Sequence, residues 1–366
     1  MWYQRVLSAI SISLLVSNSY GQSKDSTSEF KISGYADAYY AHYSDSVGVN
    51  QFQKIAAVSP RSNEFGLNIL QLTAQYTSPN IRAIGTLHYG DLPTSAWSPV
   101  YNYIQEANVG IRLKKNIWLD AGFFKTHIGT EALLPKDNIV SSLSVITVYE
   151  PWFQSGVKLS YVPNDKFTFC LHILNGYNTF VETNSKKSVG ITLSYVINPK
   201  ASIGYYNLIG DEMPDRTKGS HVRFLNNVVF NYQITSKLKT VIGVDYIGQQ
   251  NSGITDNTKF ASIYSAIAIL QYQVNPKFYY YGRYEMYSDK DGFLSGVIAL
   301  DTAQRNLTGY SCNGFTLGAS YKPTENSYIK VEARDLIFDD KQNLFYTDGK
   351  RTNNRYEAMI HIGVWF

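Results

Sequence analysis

The chain has only two cysteines, Cys170 and Cys312, and it lacks any long apolar run. Two cysteines are too few for a disulfide-stapled fold, and the strands predicted below place them far apart, so we expect two free thiols. A transmembrane helix needs about 18 or more apolar residues in a row, and no stretch approaches that length. The mean hydropathy of −0.22 is too polar for a helical membrane protein, although it suits a barrel in which every second strand residue faces water.

An excess of charge of one sign is also absent. Lys and Arg number 33 and Asp and Glu number 29, so the net charge is only +4. Nucleic acids and anionic membrane surfaces are bound through strongly basic patches. We therefore expect no nucleic-acid partner and no attachment to a membrane surface through basic residues.

Catalytic and metal-binding patterns are missing as well. His127 and Glu131 are four residues apart and could share a helical face, but no third ligand accompanies them. Acyl transfer needs a serine with a positioned histidine and a polar orienting group; His172 and His361 are inward-facing candidates without a nucleophile motif. No glycine-rich phosphate loop follows a strand and opens a helix. We predict no enzyme activity, no cofactor and no metal site, and a hydrolase that uses His361 stays open as an alternative.

The first 21 residues have the three parts of a secretory signal peptide. A short basic head ending at Arg5 precedes a mostly apolar core, residues 6–16, and a small polar stretch, residues 17–21. The core is too short to span a bilayer. We predict cleavage after residue 21, which leaves one domain, residues 22–366, with a net charge of +3 because Arg5 is the only charged side chain removed.

Strict period-two alternation marks the last thirteen residues, 354–366. One face is apolar, with Tyr356, Ala358, Ile360, Ile362, Val364 and Phe366, and the other carries Arg355, Glu357, Met359, His361, Gly363 and Trp365. Such alternation indicates a strand with unlike surroundings on its two sides. A last strand that ends in Phe resembles the closing strand of bacterial outer-membrane barrels, which the barrel-assembly machinery reads. An edge strand of a soluble sheet is the alternative.

Between these ends the sequence repeats one unit, in which two strand-like runs are joined by a short turn and followed by a longer polar loop. Sixteen strands are predicted, at 29–43, 64–76, 81–89, 103–114, 117–125, 153–162, 167–175, 187–197, 201–209, 222–234, 238–248, 261–273, 277–287, 311–322, 327–335 and 354–366. The short turns nearly all carry Pro, Asn or Asp, which favour turn conformations. The longest loops span 44–63, 126–152, 288–310 and 336–353.

Short turns at one end and long loops at the other are typical of an outer-membrane barrel. Tyr ends the apolar face just before several short turns, as at Tyr161, Tyr195, Tyr232, Tyr272 and Tyr321, where such a barrel has its periplasmic aromatic girdle. A soluble β-sandwich would alternate too, but it would need neither feature. The predicted fold is all-β: a transmembrane antiparallel up-and-down β-barrel of about 16 strands, located in the bacterial outer membrane.

Several short motifs follow one another along the chain. They include Phe65-Gly66-Leu67-Asn68, Ile104-Gln105-Glu106-Ala107, Trp118-Leu119-Asp120-Ala121-Gly122, Gly156-Val157-Lys158-Leu159-Ser160-Tyr161 and Leu174-Asn175-Gly176-Tyr177-Asn178. In this order and spacing they resemble the β-barrel porin-2 (OmpL-like) family of outer-membrane proteins, common in the Bacteroidetes. The resemblance covers essentially the whole mature chain and is strongest over residues 60–200. It implies a porin-like barrel, supplies no catalytic residues and leaves the solute unassigned.

The loop at 126–152 is unusually apolar for an exposed loop tip. Folding inward against the barrel wall would bury its apolar residues, and its charges would then lie at the narrowest point of the pore: Glu131, Lys136, Asp137 and Glu150. Packing outward on a neighbouring subunit is the alternative.

Strand alternation places further charges on the inner face of the barrel, where lining charge and pore radius set selectivity. They are Glu106, Arg112, Arg283, Glu285, Lys330, Glu332, Arg334, Arg355 and Glu357. Both signs are mixed, so anion or cation preference is not predicted. The alternative is that these charges hydrate the wall and pair with each other.

Sixteen strands enclose an aqueous channel, so the sequence predicts an outer-membrane porin for passive diffusion of small hydrophilic solutes, with loop 126–152 as the constriction. Its surroundings would be outer-membrane lipid and lipopolysaccharide, and a homo-oligomer stays open. A structural or adhesion barrel without an open pore is the main alternative.

Overall fold

The computed structural model describes residues 28–48, 50–301 and 303–366. Residues 1–27, which include the predicted signal peptide at residues 1–21, lie outside this part.

Sixteen antiparallel strands form one closed barrel, in which each strand pairs with its neighbours in sequence and the last strand pairs with the first. The barrel strands are β1 (Glu29–Tyr43), β2 (Glu64–Thr77), β3 (Ile81–Tyr89), β4 (Ile104–Lys114), β5 (Ile117–Lys125), β6 (Phe153–Asn164), β7 (Phe167–Leu174), β8 (Ser188–Asn198), β9 (Ala201–Asp211), β10 (Val222–Gln233), β11 (Leu238–Gln249), β12 (Ala261–Asn275), β13 (Phe278–Asp289), β16 (Tyr310–Tyr321), β17 (Ser327–Phe338) and β20 (Asn354–Trp365).

The remaining elements are short and lie in the long loops. Two of the loops each contain a small two-stranded hairpin. The loop between β13 and β16 contains β14 (Ile298–Ala299) and β15 (Leu307–Thr308), and the loop between β17 and β20 contains β18 (Phe345–Thr347) and β19 (Lys350–Thr352). The helices are α1 (Asp91–Ala96) and α2 (Val145–Tyr149). No helix in the described ranges is both long and apolar enough to cross a membrane.

The predicted fold is confirmed, and each predicted barrel strand is found with bounds that differ by no more than three residues. The hairpins and the helices inside the loops were not predicted. The two cysteines are free, as expected, because Cys170 lies on β7 and Cys312 on β16.

The barrel closes through the C-terminal strand. Strand β20 pairs with β1 on one side and with β17 on the other. Gly34 and Phe366 exchange two backbone hydrogen bonds, of 3.2 and 3.1 Å. Closure of the barrel pairs the polar backbone groups of its edge strands. Each of these groups would cost roughly several kcal/mol if it faced hydrocarbon without a partner.

The two faces of β20 have opposite environments. Ile362 on the outer face is 54% exposed, whereas Arg355 and His361 on the inner face are completely buried. Outer apolar residues recur on every barrel strand and form the lipid-facing surface. The barrel wall therefore encloses a polar interior, and the side chains and loops that fill this interior determine whether solutes can pass.

One predicted orientation is wrong. Period-two alternation along 103–114 places Gln105 on the outer face with Ala107 and Val109, but its side chain is buried inside, where its Oε1 accepts a hydrogen bond from Gln71 Nε2 at 3.1 Å. The pairing of β3 with β4 shifts register between Thr86 and Leu87. Such a bulge inserts an extra residue and re-aims a side chain, which period-two reasoning alone does not reveal.

Candidate functional site

The longest connection, residues 126–152, runs from β5 to β6 and packs against inward-facing side chains of the barrel; we call it loop 3. Val140, Val145 and Ile146 are buried in a cluster with wall residues that include Ile267 and Tyr281. A second cluster joins other loop residues to the wall, namely Leu133, Leu134 and Leu143 with Tyr35 and Tyr328. Burying a side chain of this size contributes about 1.5–3 kcal/mol, so these contacts hold the apolar part of loop 3 inside.

Two wall glutamates bind the loop backbone. Glu332 on β17 accepts hydrogen bonds from the N–H groups of Ser141 (2.6 Å) and Ser142 (3.0 Å). Glu285 on β13 accepts from the N–H of Val145, the first residue of α2, at 2.7 Å. Hydrogen bonds from amides to a carboxylate are stronger than neutral ones. The carboxylates thereby satisfy backbone donors that the loop's irregular path leaves free.

Wall cations bind the loop carbonyls in a complementary way. Lys330 on β17 donates to the carbonyl oxygens of Pro135 (2.6 Å) and Asn138 (2.8 Å). Arg283 on β13 donates to the carbonyl of Ser142 at 2.7 Å. The middle of loop 3 is thus fastened by charges of both signs on β13 and β17, which flank β16 in the barrel.

A ladder of ion pairs continues from the loop along the wall. Glu131 of loop 3 pairs with Arg283 at 2.6 Å, and its other oxygen accepts from the N–H of Ser144 at 2.7 Å. Further pairs follow at 2.6–3.4 Å: Arg283 with Glu285, Glu285 with Arg334, Arg334 with Glu357, and Glu357 with Arg355. All of these side chains are buried. Buried charges are tolerated when each has partners, and here every member has an opposite charge beside it.

The other predicted site residues lie outside this ladder. Lys136 and Asp137 pair with each other at 3.3 Å and are partly exposed at the tip of loop 3. Glu106 pairs with Lys125 at 3.1 Å. Arg112 lies over the ring of Trp118, 5.2 Å from its centre.

Glu150, at the end of loop 3, is buried against Asp245 of β11. Burial and the neighbouring Asp245 carboxylate raise the pKa of Glu150 well above its usual range, and Glu131 adds to the effect. Asp245 was not singled out in the sequence, although alternation along its strand places it inside.

His127 and Glu131 do not form a metal site. His127 is held by Gln154 and by the carbonyl of Asn207, at 2.9 and 3.0 Å, and its ring stacks on His172 at 4.0 Å. Burial lowers the pKa of His127. Over residues 28–48, 50–301 and 303–366, no group of three or more His, Cys, Asp or Glu side chains is placed to hold a metal ion.

A network around His361 was missed in part by the sequence reasoning. The His361 ring lies 3.0 Å from Asp37 Oδ1 through Nδ1 and 2.9 Å from Ser59 Oγ through Nε2. Tyr328 donates to the other Asp37 oxygen at 2.5 Å. Ser59 comes from the loop between β1 and β2, and nothing in its sequence surroundings marks it.

Residues 29–366 match the protein family described as "Putative beta-barrel porin-2, OmpL-like". The chain belongs to this porin family. A porin is an outer-membrane channel, and the closed 16-stranded barrel with its polar interior fits that assignment. The protein is therefore located in the bacterial outer membrane. No curated protein matches the sequence.

Solved porin structures share the fold at low sequence identity. An anion-selective porin from Comamonas acidovorans is 10% identical, with a TM-score of 0.60 over 93% of this chain and 100% of that chain. The outer-membrane channel DcaP of Acinetobacter baumannii is 11% identical, with a TM-score of 0.60 over 94% and 99%. The trimer form of in-vitro folded OmpT from Vibrio cholerae is 9% identical, with a TM-score of 0.58 over 93% and 100%. At such identities the similarity shows the fold alone.

Proposed function

We propose that this porin is a passive diffusion channel for small hydrophilic solutes and that loop 3 narrows it. The observation that carries the proposal is the attachment of loop 3 to inward-facing charges of β13 and β17 through Glu285, Lys330 and Glu332. A barrel of 16 strands is wide enough for an aqueous channel. The contacts of loop 3 described above reach β1, β9 to β13 and β17, so a passage would follow the remaining wall.

The passage would run along β3 to β6. Arg112 and Trp118 point inward there and keep part of their surface exposed, whereas the inward-facing charges of β13 and β17 are buried. Lys136 and Asp137 of the loop tip are also partly exposed. These residues would form the two sides of the constriction.

Positive charge predominates on this wall. Its inward-facing cations are Arg82, Arg112, Lys125 and Lys158, and its described carboxylates are Asp120 and Glu106. Excess charge of one sign raises the local concentration of the opposite ion. We therefore propose a preference for anionic over cationic solutes; one protein of similar structure is itself named an anion-selective porin.

Liposome swelling tests permeation by neutral sugars of increasing size. The expected result is an uptake rate that falls steadily with solute size and does not saturate with concentration, as passive diffusion requires. In planar bilayers with a gradient of potassium chloride, we expect a reversal potential whose sign shows that chloride permeates faster than potassium. Swelling no faster than protein-free liposomes, with correctly folded protein, would support a closed structural barrel.

We also propose the remaining surroundings of the protein. Outer-membrane lipid and lipopolysaccharide would contact the apolar outer face, and the barrel-assembly machinery would read β20 with its terminal Phe366. A homo-oligomer is supported by the trimer form of a similar structure. Permeation would involve no enzymatic step, because the charges of the ladder from Glu131 to Arg355 are engaged with each other and with loop 3.

One observation favours a second candidate function, acyl transfer at a serine. The chain Ser59–His361–Asp37, with distances of 2.9 and 3.0 Å, has the order of nucleophile, base and orienting acid used by serine hydrolases. A β-bulge beside Asp37 aims Asn68 at Ser59, whose backbone φ is +54°. Strained backbone is common at catalytic residues. However, the three triad side chains are completely buried, so a substrate would reach Ser59 only if the loop at 44–63 moved.

A fluorophosphonate probe distinguishes the two candidates. It reacts when a serine oxygen attacks phosphorus and fluoride leaves. The diffusion channel predicts no labelling of the folded protein above the level of the Ser59→Ala variant. Labelling that is lost in Ser59→Ala and in His361→Asn would instead establish a reactive serine.

A further inference from the structure

Four buried oxygen atoms lie without a hydrogen-bond donor where the end of loop 3 meets β10 and β11. They are both carboxyl oxygens of Glu150, Oδ2 of Asp245 and Oδ1 of Asn227. The three side chains are 2%, 1% and 0% exposed. Buried polar atoms nearly always have partners, and an unsatisfied one is destabilising. A cluster of four acceptors therefore requires an explanation.

The neighbouring donors are already engaged. The Asn227 amide nitrogen donates to Asp245 Oδ1 at 2.6 Å and to Thr130 Oγ1 at 3.2 Å. The hydroxyl of Thr147, which faces Glu150, donates to Glu131 at 3.1 Å. Both of these donors are thus engaged elsewhere, and within the described part of the chain the four oxygens accept no hydrogen bond.

The charges at this point do not balance. The carboxyl groups of Glu150 and Asp245 lie within hydrogen-bonding distance of each other, and Glu131 is the third acidic group that faces Glu150. Arg283 neutralises Glu131, which it contacts at 2.6 Å, but no basic side chain is paired with Glu150 or Asp245 among the ion pairs of the described residues. A single shared proton would neutralise one carboxylate and bridge two oxygens, leaving the other two unsatisfied.

We propose that Glu150, Asp245 and Asn227 form a binding site for a hard divalent cation, Ca²⁺ or Mg²⁺. Such ions take oxygen ligands from carboxylates, amide carbonyls and water, which is the chemistry of these four atoms. Two carboxylates would balance the charge of one divalent ion. The proposed ligands are two carboxylates and one amide, so the site is consistent with the absence, among the described residues, of a metal-binding group of three or more His, Cys, Asp or Glu side chains.

The close approach of the loop backbone fits this arrangement. Gly129 has a φ of +118°, and a Cβ added there would lie 3.0 Å from Glu150 Oε2. Gly243, two residues before Asp245, lies so close to Thr130 that an added Cβ would be 1.9 Å from its hydroxyl oxygen. Glycine at both positions lets loop 3 and β11 approach each other, so the cation would link Glu150 at the end of loop 3 to Asp245 and Asn227 on the wall.

Isothermal titration calorimetry tests the site directly. The refolded mature chain, stripped with a chelator and free of lipopolysaccharide, is titrated with CaCl₂ or MgCl₂ in detergent. We expect saturable binding of one ion, weakened at least about tenfold by Glu150→Gln or Asp245→Asn. Asp256→Asn, the same change on an exposed loop, serves as the matched control and leaves binding unchanged. Absence of saturable binding, or binding equal in all variants, would overturn the proposal.

Thermal unfolding gives an independent readout. Ca²⁺ or Mg²⁺ is expected to raise the unfolding midpoint of the wild-type protein and of Asp256→Asn but not that of Glu150→Gln, because a ligand that binds only the folded state stabilises it. Without metal, Glu150→Gln should fold at least as well as the wild type, since it removes a like charge from beside Asp245. A midpoint that responds to pH but not to either metal would show a shared proton only and contradict the site. Binding is measured without conductance, so failure of the channel and failure of the cation site are separate results.

Discussion

Arg283→Ala is expected to lower the free energy of unfolding by about 3–5 kcal/mol, because Arg283 is the cation that pairs with Glu131 and one of two that pair with Glu285 among the described residues, and both carboxylates stay buried without it. Arg283 also donates to the carbonyl and the hydroxyl of Ser142, at 2.7 and 3.0 Å. Loss of this one side chain therefore breaks the contact of loop 3 with β13 at several atoms.

Equilibrium unfolding by urea in detergent, followed by tryptophan fluorescence, measures this effect. Lys187→Ala is the control, since its pair with Glu182 is substantially exposed and such pairs contribute at most about 1 kcal/mol. Combining Arg283→Ala with Glu131→Gln should recover part of the loss, because one of the stranded carboxylates is then neutral. A loss no larger than that of Lys187→Ala would contradict the role given to the ladder.

The barrel could be predicted closely because lipid imposes a strict local pattern. Outer residues such as Ile360 and Ile362 alternate with inner ones such as His361 along β20, and the short turns are marked by their own residue types. Each signal lies within a dozen residues. The register shift at Gln105 escaped this reasoning because a bulge depends on the geometry of the neighbouring strand.

The site could be predicted only in part, because its contacts join distant segments. Strand alternation placed Glu285 and Glu332 inside, but it could not show that they bind backbone amides of loop 3 some 140 and 190 residues away. The partner of Glu150, Asp245, also lies on a strand far along the chain. Period-two patterns give the direction of a side chain and leave its partner undetermined.

Replacing residues 130–148 with a short Gly-Ser linker is expected to increase the conductance of the channel several-fold. The deletion removes the apolar mass that fills one side of the interior, and Glu285, Lys330 and Glu332 would then be hydrated by the water that enters. The strands and their hydrogen-bond ladders are unchanged, so the barrel should still close. Removal of residues 255–258, from the exposed loop between β11 and β12, is the matched control and should leave the conductance unchanged.

Single-channel recording in planar bilayers, comparing the refolded mature chain with these two deletions, tests whether loop 3 narrows an open pore. Strand content measured by circular dichroism confirms that each protein is folded before it is recorded. We expect a steady, small conductance for the full chain and the control, and a larger one when residues 130–148 are absent. Folded protein that conducts equally with and without this segment would show that loop 3 does not narrow the pore, and folded protein that never conducts would contradict the channel itself.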